Sequence, residues 1–137
     1  MEKLHLYLVR HCESLGNREN IFQGQLDLDI SATGEKQLAL LALRFRNIPI
    51  DAVYSSPLKR AYKTAEAVNL YHSLPIIELP ELMEVDVGAL SGMKLDKAFT
   101  DYPVFAEKWQ NSPQNCIFPE GETTAEVYDR AKKALAR

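Results

Sequence analysis

The 137-residue sequence predicts an α/β domain with a mainly parallel central sheet flanked by helices. Three observations predict it. Leu4-His5-Leu6-Tyr7-Leu8-Val9 is a short apolar run without polar alternation, the pattern of a strand buried on both faces. Leu38, Leu41, Ala42 and Phe45 recur at helical spacing between that run and a second strand-like run, Asp51-Ala52-Val53-Tyr54-Ser55. A strand, helix, strand unit of this length is the right-handed crossover that builds parallel sheets. With 46% apolar residues the chain can bury one real core, and no repeat, low-complexity tract or linker divides it.

The first strand ends at Arg10-His11, and ligands of open α/β sheets bind beyond the carboxyl ends of strands. Arginine offers a planar fork of donors that matches two phosphoryl oxygens. Histidine titrates near neutrality and can act as base, acid or nucleophile. Together they could hold a phosphoryl group and attack it, although a surface arginine beside a capping histidine would produce the same dipeptide. The following loop, Cys12 to Asp29, carries Asn17, Arg18, Gln23 and Gly24. That set suits a loop folded over an anion, as it does a plain surface loop.

Ser31 or Thr33 is placed to cap the first helix, which should stop before Pro49. After the strand at 51–55, Ser56 is a good N-cap and Pro57 fits the first helical position. Ala61, Ala65 and Val68 line one face of this second helix. Arg60 falls in its first turn, at the positive end of the helix dipole, where it could meet an anion or remain an ordinary solvated charge. Ile76-Ile77-Glu78-Leu79 reads as a third strand. Glu81 to Gly88 has no helical period and adds three carboxylates, Glu81, Glu84 and Asp86, to a loop or short strand. A carboxylate there could donate a proton where burial or a nearby anion favours its neutral form. Ser91 to Pro113 is weakly helical, with Leu95, Phe99, Phe105 and Trp109 as core candidates. Thr123 with Glu126 fits a capping box, and Val127, Ala131, Ala134 and Leu135 continue it as an amphipathic helix.

Net charge is −3, so no global basic field points to nucleic acid or to an anionic membrane surface. Cys12 and Cys116 lie too far apart in sequence for a metal pair and read as free thiols in a reducing compartment. No stretch resembles a signal peptide or a membrane span, and the expected location is cytoplasmic.

Taken together these residues resemble the histidine phosphatase superfamily, the phosphoglycerate mutase-like enzymes. Arg10-His11-Cys12-Glu13-Ser14 is similar to that family's Arg-His-Gly-Glu opening. Asn17, Phe22-Gln23-Gly24 and Leu28 to Glu35 resemble the loop and first helix of its phosphatase branch. Val53 to Ala61 with Thr64-Ala65 resembles the second signature, and Leu82 to Gly88 and Pro119 to Thr123 the third and fourth. The resemblance implies that His11 takes up the phosphoryl group and that Arg10 and Arg60 clamp its oxygens, helped by Asn17 and the Gln23-Gly24 region. Glu84 would protonate the leaving alkoxide. It implies no cofactor and no metal, and a small phosphorylated metabolite as substrate.

Cys12 stands where the family has glycine, which would strain the backbone if φ there were positive. The family's second active-site histidine, in a Ser-His-Gly type motif near the carboxyl end, has no counterpart in context, since the other histidines are His5 and His72. The expectation is therefore a single histidine phosphatase domain over residues 1–137 that lacks its C-terminal strand and second histidine motif. An unpaired sheet edge would invite a homodimer or strand exchange. Phosphomonoester hydrolysis through phosphohistidine is the expected function. Phosphoglycerate mutase activity, or phosphate binding with impaired turnover, are its rivals.

Overall fold

A parallel ladder joins Val53–Ser55 (β1) to Ile76–Glu78 (β2), with Val53 opposite Ile76 and Ser55 opposite Glu78. Parallel neighbours need a crossover between them, and Lys59–Asn69 (α3) supplies it. Ala32–Phe45 (α2) packs along α3. Ala42 and Phe45 face inward from one helix, Ala65 and Val68 from the other. The computed structural model describes residues 3–137 and is α/β, as the pattern predicts.

Helix boundaries follow local chemistry. Ser31 caps α2, its Oγ accepting from the Gly34 amide at 3.0 Å. Short helix Leu15–Arg18 (α1) opens on a reciprocal box between Ser14 and Asn17. The helix Thr124–Leu135, α6 below, opens on the expected Thr123–Glu126 box. The helix after β1 starts later than Ser56 and Pro57 predict. Its N-cap is Leu58, and the Lys59 amide donates to Asp27 Oδ1 at 2.7 Å. A carboxylate reaching in from a distant loop thus takes the role expected of Ser56, whose Oγ accepts only a 3.3 Å bond from the Leu58 amide.

The first expected strand needs correction. Leu4 to Val9 is extended but exposed, with Leu4 92% and Leu8 84% accessible, and among the described residues its backbone joins no ladder. A strand is buried on both faces only where strands flank it and helices cover it. Here Tyr7 of the run sets its ring edge-on to Phe45 at 5.8 Å. The Glu81–Gly88 region, read as a loop or short strand, is a loop that begins in one 3-10 turn, Pro80–Leu82, and ends in another, Gly88–Leu90.

The principal core lies beneath the loops rather than beneath the sheet. Phe22, Val87, Leu90, Ala98, Phe105, Cys116 and Phe118 form one buried cluster. Leu95–Asp101 (α4) and Pro103–Asn111 (α5) supply Ala98 and Phe105 to it. Phe22 meets Phe99, Phe105 and Trp109 edge-on at about 6 Å. This cluster matters for the site because Phe22 precedes Gln23-Gly24 and Val87 follows Glu84. One apolar cluster therefore anchors both loops.

Candidate active site

His11 ends the extended amino-terminal run and is half buried. Its Nδ1 lies 2.6 Å from the Cys12 carbonyl oxygen. A carbonyl only accepts, so Nδ1–H is the donor and Nε2 keeps its lone pair. Burial pulls the imidazole below its ordinary pKa. The Cys12 carbonyl pulls the other way, the positive charges of Arg60 and Arg10 add to the lowering, and the Glu84 carboxylate opposes it. These effects together favour the neutral ring. Arg10 is exposed beside it, and both line a cavity of about 250 Å³ against Gln37, Leu38 and Leu41 of α2.

Cys12 is buried, and its amide donates to Thr64 Oγ1 at 3.0 Å, which ties the residue after the histidine to α3. Its φ is not positive, so the strain that a cysteine in place of glycine could bring is absent. Burial pushes its thiol pKa up, leaving a protonated packing group.

The loop between α1 and α2 is organised by Ser14 and Arg60. Ser14 is fully buried, and its Oγ lies 2.9 Å from Asn17 Oδ1 and 2.7 Å from Gln23 Oε1. Gln23 is buried with its carbonyl directed to Ser14. Asn17 is exposed, and its side-chain NH₂ has no partner among the described residues. Arg60 is only 2% accessible, and its guanidinium donates to the Gly24 carbonyl at 2.7 Å and the Leu26 carbonyl at 2.9 Å. Gly24 has φ +50°, and a Cβ there would stand 2.8 Å from the Val85 carbonyl. The glycine lets the loop approach the Glu84 segment. Burial lowers the Arg60 pKa and the Glu84 and Asp27 carboxylates oppose that, but an arginine keeps its charge.

Four of the residues read from the sequence are thereby brought together. His11 senses the charges of Arg10, Arg60 and Glu84, and Arg60 senses Glu84. Gly24 joins them through Arg60, whereas Gln23 and Asn17 are tied to each other through Ser14. Glu84 is exposed, with Oε1 accepting from the Val85 amide at 2.9 Å. His5 lies on the exposed run, and His72 binds the Phe45 carbonyl at the far end of α2. Two residues of the neighbourhood were not singled out by their sequence context, Asp27 at the start of α3 and Arg130 behind the Glu84 loop. No spacing rule links 27 to 59 or 130 to 84. Among the described residues no cluster of three metal-ligating side chains is present.

The family model described as histidine phosphatase superfamily (branch 1) matches residues 6–137. The chain belongs to that superfamily. It is 40% identical over 130 residues to a protein named phosphoserine phosphatase 1 from Hydrogenobacter thermophilus, covering 95% of this chain and 62% of that one. It is 32% identical over 133 residues to a protein named "Probable phosphoglycerate mutase GpmB" from Escherichia fergusonii, covering 97% and 62%. The solved structure of Bacillus stearothermophilus YhfR superposes with a TM-score of 0.86 at 28% identity, covering 93% of this chain and 63% of that chain. The chain thus spans less than two thirds of the length of these relatives.

Proposed function

We propose that the protein hydrolyses phosphate monoesters of small metabolites through a phosphohistidine on His11. The observation that carries this reading is the His11 tautomer, with Nδ1 committed to the Cys12 carbonyl and Nε2 without a partner among the described residues, under the positive charges of Arg60 and Arg10. Nε2 attacks phosphorus, an N–P bond forms, and the bond to the leaving oxygen breaks. Glu84 gives its proton to that oxygen and later takes one from the attacking water, which cleaves the N–P bond and releases inorganic phosphate. Arg10, Arg60, the Asn17 amide and the Gln23-Gly24 region neutralise and orient the phosphoryl oxygens, the main demand of phosphoryl transfer. No step of this scheme calls on a metal or an organic cofactor.

The test is hydrolysis of an aryl phosphate and of O-phosphoserine by the protein and by His11→Ala, with the phosphoenzyme trapped. An acid-labile phosphoryl group on the protein, absent from the variant together with turnover, is expected. Turnover surviving His11→Ala would refute the reading. A mutase has the support of the relative carrying that name. It would return the phosphoryl group to a second hydroxyl of a phosphoglycerate, and product analysis separates the two.

A further inference from the structure

Arg130 lies on α6 (Thr124–Leu135), and Glu122 on the turn that precedes it. Their side chains meet in a two-pronged pair, Nε to Oε1 and Nη2 to Oε2, both at 2.8 Å. The remaining donors of the same guanidinium all go to one loop. Nη1 reaches the carbonyls of Glu81 at 2.9 Å and Met83 at 2.5 Å, and Nη2 that of Glu84 at 3.0 Å. Glu122 grips the other side of that loop, its Oε2 accepting from the Asp86 amide at 2.8 Å and its own amide donating to the Asp86 carbonyl at 2.9 Å. Four contacts from the paired side chains and one from the Glu122 amide therefore fix the backbone on both sides of Glu84 and at Glu84 itself.

The pair is a committed one. Both side chains are about one-fifth accessible. Glu122 is held below the usual carboxylate range by Arg130, and Arg130 is raised by Glu122. Room for the grip is made by glycine. A Cβ on Gly121 would stand 2.2 Å from the Asp86 carbonyl, and one on Gly88 2.2 Å from the Pro119 carbonyl. Among the described residues the Glu84 carboxylate, in contrast, bonds only to its neighbour's amide. Its location relative to His11 is set by the backbone beneath it.

We propose that Arg130, braced by Glu122, is a positioning residue that fixes the loop carrying Glu84 and so places the proton donor opposite His11. This rests on the role given to Glu84 above. A misplaced donor hurts most where the leaving group most needs a proton, whereas general structural damage slows all esters alike.

The experiment compares Arg130→Met and Glu84→Gln with the unaltered full chain on aryl phosphates of increasing leaving-group basicity, from 4-nitrophenyl to 4-methoxyphenyl. Amide hydrogen exchange is followed alongside. Arg130→Met is expected to lose about 3-fold in kcat/KM on the first ester and about 100-fold on the last, following the trend of Glu84→Gln. Amides of residues 82–87 should exchange at least about tenfold faster, with those of α2 and α3 unchanged. A uniform loss across the series in Arg130→Met beside a graded loss in Glu84→Gln would overturn the positioning role alone. A uniform loss in Glu84→Gln would remove the proton donor and the inference with it. Unchanged exchange at 82–87, or faster exchange throughout, would overturn it without reference to turnover.

Discussion

His11 makes its clearest prediction through acidity. Its pKa in the folded protein lies below the ordinary 6.5 because burial and two nearby arginines disfavour the imidazolium. The His11 imidazole therefore stays neutral to lower pH than an exposed histidine would. The acid limb of the kcat/KM profile assigned to His11 should fall below 6.5. The same shift has a stability consequence of definite sign. Between the two pKa values the unfolded chain binds more protons at this site than the folded one, so stability falls as pH drops below about 6.5. Urea melts between pH 5 and 7.5 should show that slope, and His11→Gln should reduce it. Arg60 is tested differently. Its guanidinium is the buried donor to the carbonyls of Gly24 and Leu26, and Arg60→Met leaves them without it. The expected cost is about 2–3 kcal/mol in chemical denaturation, together with a raised KM.

The elements that position the site meet at the amino end of α2. Ser31 caps the helix and also reaches Glu13, with Oε1 at 2.5 Å, so the cap and the loop after His11 are one hydrogen-bonded unit. Gly34 sits in the first turn where Glu13 crosses. A Cβ there would stand 2.2 Å from the Glu13 carbonyl and 3.3 Å from Cys12 Sγ. Gly34→Ala should cost about 2 kcal/mol by forcing that backbone away, with a lower melting temperature and slower turnover. Ser31→Ala should cost about 1 kcal/mol.

These elements also show which features local sequence encodes. The caps at Ser31 and Thr123 and the helical stripes depend on neighbours within a few residues, and the two strand-like runs that become β1 and β2 are visible in their own composition. The helix start at Lys59 depends on Asp27, and the Glu84 loop on Arg130, which no short-range periodicity reports. The site divides in the same way. His11 and Arg60 stand out at the ends expected of a strand and a helix, and Glu84 only through the family resemblance, whereas their mutual placement depends on buried bonds between loops. The burial expected of Leu4–Val9 fails because a strand's burial belongs to its partners, not to its own composition.

At the scale of the molecule two masses are joined by Arg60 and the loops. One is the aromatic cluster under α4 and α5, closed around Phe105 and Phe118. The other is the α2–α3 layer with a sheet of two strands among the described residues, beside which Leu4, Leu6, Leu8 and Val9 lie accessible on an extended run that pairs with none of them. Tyr54 on β1 and Ile77 on β2 are accessible as well. Unpaired extended backbone with apolar side chains is a template for pairing with another strand. The 137-residue chain alone should therefore self-associate as its concentration rises. Sedimentation velocity should show a weight-average mass growing from about 15.5 kDa toward the dimer. Leu6→Lys with Leu8→Lys places two charges on the run and leaves every contact of His11, Arg60 and Glu84 in place. That variant should stay monomeric with unchanged helical signal. Concentration-independent sedimentation of the unaltered chain would show instead that the run is covered from within.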